Sequence, residues 1–353
     1  MKTIYICSLD SYSGKSLICL GLGMKLKEKN KKIGYLKPFG NFPISSKHGI
    51  IDEDVLLISE ALDFKDPLSL ICPILLDEQL VEKNFAEKNL SKENYFSKII
   101  NSFTEISKNK DFMLITGASS FLTDGFFLDI PDFKIAKKLN AEIIFIAKYT
   151  SSFVIDQILF VKEFLKKDLL GVIINGVPYN KLSYAKEMYF DYLKEKDINL
   201  LGIMPEEPFF KYISIQELQE KIGGKILCAD EKKNELIEHF SVGAMDAENA
   251  LKHFRKITNK AVITGGDRSD IQLAALETST KCLILSGGFQ PSSLILSRAI
   301  ELKIPIIVVE QDTLSIVEQI EKSVGKVRIK EKEKIQKVIQ LVNEHIAFDK
   351  IID

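Results

Sequence analysis

The sequence contains no tryptophan, only 4 histidines and 5 cysteines in 353 residues, and almost no net charge. Each scarcity narrows the reading. Cys7, Cys19, Cys72, Cys228 and Cys282 sit in apolar runs, without Cys-x-x-Cys spacing or a histidine-rich neighbourhood. They read as buried small hydrophobes in a reducing compartment, not as metal ligands or a disulfide frame. Lys plus Arg number 48 against 49 Asp plus Glu, leaving a net charge of −1 and no global field to gather nucleic acid or an acidic membrane. No stretch reaches the ~18 uninterrupted apolar residues of a membrane span. Met1-Lys2 leads directly into a strand-like run, so neither a leader nor a membrane segment is expected, and a cytoplasmic location is.

What is present is a large apolar fraction, 46%, on a chain long enough for two domains. The most informative stretch is Ser8-Leu9-Asp10-Ser11-Tyr12-Ser13-Gly14-Lys15-Ser16, which follows the apolar run Thr3-Ile4-Tyr5-Ile6-Cys7 and opens into a helix-like segment. A Gly-Lys-Ser at a strand-to-helix turn aims backbone N–H groups and a helix N-terminus at a phosphate. Its lysine neutralises charge and its serine hydroxyl reaches a bound Mg²⁺. Leu9 stands where the usual pattern has a glycine, so the flanking strand and helix carry the assignment.

Strand-like and helix-like segments then alternate through the first two hundred residues, the sequence form of a doubly wound parallel sheet. Strands are expected at 2–8, 32–36, 112–116, 142–147, 169–174 and 198–203, with helices at 15–29, 52–62, 92–108, 131–139, 151–166 and 180–194. The two prolines of Pro205-Glu206-Glu207-Pro208 break this rhythm, and a capped helix restarts at Ser214. The boundary is therefore placed near 210, giving domains 1–210 and 211–353. The second repeats the alternation on a smaller scale and closes with an amphipathic helix at 330–346, its apolar face made of Ile335, Val338, Ile339 and Val342.

Several side chains fall beyond the C-terminal ends of the expected strands, where open α/β sheets bind ligands. Lys37 reads either as a second ammonium beside a transferred phosphate or carboxylate, or as an ordinary lysine before a proline. Asp52-Glu53-Asp54 either complements a helix dipole or lends Asp54 to Mg²⁺ alongside Ser16. Asp10 is placed to orient water or metal. Asn175 either caps a turn or reads a purine edge. Thr116 ends the strand where many phosphate-loop enzymes present a carboxylate to the metal, which favours slow hydrolysis or sensing. In the second domain Gly265, Gly266, Asp267 and Arg268 follow one strand, and Gly287 and Gly288 the next. These two turns fit a cradle for a small anion, a facing subunit, or simple tight turns.

The phosphate loop, Gly34-Tyr35-Leu36-Lys37-Pro38, Asp52-Glu53-Asp54, Asn175-Gly176-Val177-Pro178 and Gly202-Ile203-Met204-Pro205-Glu206 together resemble the dethiobiotin-synthetase-like ATPase domain at the N-terminus of long phosphotransacetylases. Residues 262–313, with Gly266-Asp267-Arg268 and Ser286-Gly287-Gly288, resemble the DRTGG domain that follows it. The resemblance implies an ATP–Mg²⁺ site with Asp10, Ser11, Tyr12, Ser13, Gly14, Lys15 and Ser16 around the phosphates. It places Ser16 and Asp54 on the metal, Lys37 and Lys15 at the reacting groups, and Asn175 near the base. The catalytic domain that follows the DRTGG part in phosphotransacetylases is absent from this sequence, so acetyl transfer is not expected of it. The expected role is an ATP-binding regulatory protein with a small-molecule or protein partner at the second domain and self-association. The alternative is an ATP-dependent ligase of the dethiobiotin synthetase or cobyrinic acid a,c-diamide synthase type.

Overall fold

Uninterrupted apolar runs such as Thr3–Cys7 and Ile143–Ala147 leave no polar face, and a strand of that kind is stable only when helices cover both sides of its sheet. The computed structural model, which describes residues 1–46, 49–86, 92–324 and 332–352, bears this out. It divides into a first unit of residues 1–206 together with the described part of 329–353, and a second of residues 207–328.

In chain order the first unit has β1 (Lys2–Cys7), α1 (Lys15–Glu28), β2 (Ile33–Leu36), β3 (Pro43–Ser46), β4 (Gly49–Asp52), α2 (Glu53–Ala61), α3 (Leu68–Ile71), α4 (Glu78–Ala86) and α5 (Lys92–Ile106). There follow β5 (Phe112–Thr116), α6 (Asp132–Lys138), β6 (Glu142–Lys148), α7 (Val154–Leu165), β7 (Leu169–Val177), α8 (Leu182–Glu195) and β8 (Leu200–Pro205). Six strands form one parallel sheet in the order β2-β5-β1-β6-β7-β8. Its central residues Ile4, Ile6, Leu114, Ile144, Ile146, Ile173 and Ile174 are fully buried. Each such side chain contributes roughly 1.5–3 kcal/mol relative to exposure. The order changes direction beside β1, so the loops after β1, β2 and β5 meet at the carboxyl edge, where such sheets bind ligands.

The second unit contains β9 (Ile213–Ser214), α9 (Ile215–Ile222), β10 (Lys225–Ile226), β11 (Leu236–Ile237), β12 (His239–Val242), α10 (Ala247–Phe254), β13 (Lys260–Gly265), α11 (Ser269–Leu276), β14 (Thr280–Ser286), α12 (Ser293–Leu302), β15 (Ile306–Val308) and α13 (Thr313–Val324). Its sheet runs β10-β15-β14-β13-β12, parallel except for the edge strand β10. Phe254, Ile271, Ala275 and Ala299 of α10, α11 and α12 seal one face, and Leu218, Ile222, Ile316 and Ile320 of α9 and α13 the other.

One expectation is corrected. The C-terminal helix, assigned from sequence to the second domain, is α14 (Lys332–His345) with the short α15 (Asp349–Ile352), and it returns to the first unit. The physical reason is a fitted pair of surfaces. Gly21 of α1 lies so close to Val342 that a Cβ there would stand 2.3 Å from its methyl. Gly202 of β8 makes an antiparallel bridge to Ile346, and Ala347 N–H donates to the Leu201 carbonyl at 2.7 Å. Val342→Ala is expected to cost about 2 kcal/mol and to speed amide exchange in α1, while exchange in β13 and β14 is unchanged.

Candidate nucleotide site

Lys15 is the first residue of α1, and Gly14 before it adopts φ +95 with the helix starting directly behind it. Tyr12 also takes a positive φ, 52, so two left-handed residues curl the loop between Asp10 and Lys15. Strain of this kind in a non-glycine residue gathers where backbone amides are shaped around a ligand. The Lys15 ammonium is buried and donates to the Asp10 carbonyl at 3.2 Å, the Ser13 hydroxyl at 3.4 Å and the Ser119 carbonyl at 3.3 Å. Burial pulls its pKa below the ordinary lysine value, with the Asp54 charge acting in the opposite sense. It is thus a desolvated cation that donates to three neutral oxygens.

Asn175 stands at the end of β7 and donates its amide to the Ser13 carbonyl at 2.8 Å. Its role here is to brace the loop from the side opposite Ser119. Asp10 receives the Gln157 amide at 3.4 Å, and its own N–H donates to the Ser8 hydroxyl at 3.1 Å. Ser11 lies half-buried in the loop, and the exposed Tyr12 ring rests 5.4 Å from that of Phe42.

Lys37 and the acidic helix start belong to one cluster. Asp52 caps α2 by accepting from the N–H groups of Asp54 and Val55, and its other oxygen takes those of Asn41 and Phe42, both at 3.1 Å. The Lys37 ammonium, 1% exposed, lies 2.8 Å from Asp52 and 2.8 Å from Asp54. Burial alone would favour neutral Lys37, but the two carboxylates outweigh it and raise the pKa above the usual lysine value. Burial would likewise raise Asp54, yet Lys37 and the Ser16 hydroxyl hold it below the ordinary carboxylate range. Ser16 and Asp54 are therefore adjacent. Together with phosphate oxygens they form the hard-oxygen set that Mg²⁺ takes, so the residues present fit that ion. Thr116, in place of a carboxylate, is buried and shares a 2.8 Å hydrogen bond with the Tyr35 hydroxyl.

Some participants were not read from the sequence. Asn41 donates to the Ser119 hydroxyl at 2.6 Å. Asp124 accepts from the N–H groups of Ser119 and Ser120 at 2.8 and 3.0 Å. Asp132 accepts from Ala118 N–H at 2.9 Å and from the Tyr5 hydroxyl. Nearness to Lys37-Pro38 is the one signal that could have found Asn41, and nothing in the sequence sets Asp132 apart from an ordinary acidic start to α6.

In the second unit β13 and β14 run side by side, so Gly265, Gly266, Asp267 and Arg268 do lie next to Gly287 and Gly288. The glycine amides are occupied: Gly266 N–H donates to Ser286, Gly287 to Gln311 and Gly288 to Val309. Arg268 reaches Asp270 at 3.3 Å and the Met245 carbonyl at 3.0 Å. Asp267 is exposed on the same turn.

Residues 2–214 match the AAA domain family model and residues 217–323 that of the DRTGG domain. Among curated relatives, the phosphate acetyltransferase of Synechocystis sp. is 22% identical over 84% of this chain and 43% of its own length. The ATP-dependent dethiobiotin synthetase of Methanococcus vannielii is 27% identical over 61% of this chain and 98% of its own length. That of Nitrosopumilus maritimus is 32% identical over 35% of this chain and 53% of its own length. The chain spans about half the length of the phosphate acetyltransferases it matches. A phosphate loop set on a parallel sheet, followed by a DRTGG domain, is thus shared by pattern, topology and kinship, and the chain belongs to the AAA domain family.

Proposed function

We propose that the chain binds Mg-ATP at the phosphate loop of its first unit and works as a regulatory protein, its DRTGG domain meeting a small effector or a protein partner. The observation that carries this is the Lys15 ammonium, buried at the start of α1 against three neutral oxygens at 3.2–3.4 Å. A desolvated cation at a helix N-terminus gains most from an anion, and a polyphosphate supplies one. Ser16 and Asp54 would hold the Mg²⁺, which supplies charge neutralisation for the phosphates. Lys37, fastened between two carboxylates, is withheld from transfer chemistry, which supports a binding role over turnover.

Isothermal titration of ATP with Mg²⁺ against wild type and Lys15→Ala tests this. Losing a charged hydrogen-bond donor is expected to cost about 2–3 kcal/mol, roughly a 30- to 150-fold weaker affinity. Equal affinities would defeat the assignment.

A second reading, an ATP-dependent ligase acting on a small carboxylate, is favoured by one feature: the buried Asn41 Oδ1 has no hydrogen-bond partner among the described residues and would accept from a donor group, such as an amine, elsewhere on that substrate. That reading requires ADP release to rise sharply with one member of a carboxylate panel. A flat basal rate across the panel leaves the regulatory reading in place.

A further inference from the structure

Between the end of β5 and the start of α6, the segment Gly117–Ser120 supplies the Ser119 carbonyl that holds the Lys15 ammonium and the Ser119 hydroxyl that holds Asn41. Three consecutive N–H groups of this segment, those of Ala118, Ser119 and Ser120, all end on carboxylates. Asp124 takes two from the solvent side. Asp132 takes the first from below, fully buried, and its other oxygen receives the Tyr5 hydroxyl of β1. The fit is tight, since a Cβ on Gly117 would stand 2.5 Å from the Asp132 carboxylate.

We propose that Asp132 is a positioning residue of the phosphate site, fixing the Gly117–Ser120 segment through Ala118 N–H and Tyr5 so that Ser119 presents its carbonyl to Lys15. This rests on the nucleotide reading and deepens it by adding a control on that site. The groups that face Asp132 are Tyr5 and Cys7 on β1, Lys15 at the head of α1, and Asp124 in the segment after β5. Burial raises both Tyr5 and Cys7 well above their usual values, so neither charges near neutrality. Burial likewise lifts Asp132 to about 7, with the Tyr5 and Ala118 hydrogen bonds and the Lys15 charge restraining it.

The sign follows. Above that value the carboxylate accepts from both donors and its charge favours the protonated Lys15 ammonium. Below it, the added proton weakens the Ala118 anchor and removes that charge. ATP affinity measured between about pH 6 and pH 8 should therefore strengthen with pH in wild type more than in Asp132→Asn, by about three- to tenfold across the range. The ATP phosphate titrates in the same region, so the quantity read is the difference between the two proteins. Amide exchange without nucleotide gives an independent measure: protection at Ala118, Ser119 and Ser120 should fall on acidification in wild type and stay low in Asp132→Asn. Should that variant fold poorly, Tyr5→Phe removes one hydrogen bond to the carboxylate and is expected to move the wild-type inflection upward. An Asp132→Asn protein whose affinity runs parallel to wild type, or whose three amides exchange as slowly, overturns the proposal. Wild type that binds no ATP at any pH defeats the nucleotide reading, and the exchange measurement then still decides the role of Asp132.

Discussion

Exchanging Lys37 for methionine is expected to destabilise the first unit by about 3–5 kcal/mol, measured by urea denaturation without nucleotide. The size comes from what is left behind. Asp52 is fully buried and Asp54 only 29% exposed at its side chain, and one ammonium serves both. Without it, two carboxylates 2.8 Å from its former site retain their desolvation cost and lose their counter-charge. The pair is formed throughout the neutral range. Lys37, raised above its unfolded value, loses its contribution only at strongly alkaline pH; Asp54, lowered below its own, loses it only on acidification below the ordinary aspartate range. Adding Asp52→Asn and Asp54→Asn to Lys37→Met should recover much of the loss, because the orphaned charges are then gone. A single variant within 1 kcal/mol of wild type would contradict the geometry described.

Gly14→Ala carries the second large effect, this time on binding. At φ +95 a side chain is strained wherever it points, by roughly 1–2 kcal/mol, and here it points at Asn175. The new Cβ would stand 2.2 Å from the Asn175 amide nitrogen that braces Ser13. Either the loop unwinds or Asn175 leaves, and both spread the amides that would face the phosphates. ATP affinity is expected to fall by at least about tenfold, or 1.4 kcal/mol, with the unit still folded by circular dichroism. Asn175→Ala in the same protein removes the obstacle, so the double variant should lose less than the sum of the two single ones. Strict additivity in that cycle would show that the collision does not occur.

Much of this was legible before the fold was known. The apolar runs of β1, β5, β6 and β7 could hardly be anything but buried strands, and the turn Gly14-Lys15-Ser16 announced itself by its flanks. The hairpin β3–β4 was not legible: each strand has 4 residues, half-exposed for the most part, too short for a period of two to show. The short α3 and the α4 helix were missed for the same want of pattern. For α14 the amphipathic face was plain, yet a stripe of Val338 and Val342 says that something covers it and not what. Lys37 and the aspartates were each singled out, but their union depends on the turn at Gly40–Phe42 folding Asp52 back over β2, a distance relation invisible in a string of letters. Asp132 shows the same limit more sharply, since its partners Tyr5 and Ala118 lie 127 and 14 positions away.

The polypeptide crosses from the first unit to the second and then comes home, so the second is a guest spliced into its host rather than a bead added to a string. A stop codon at 328 would not yield the nucleotide unit alone: it would strip α1 of the surface that Val342 covers and leave the β8 edge bare. Excising the guest cleanly calls for a graft that joins residue 206 to the stretch leading into α14, and a library of simple shortened chains would mistake a wounded host for an inactive one.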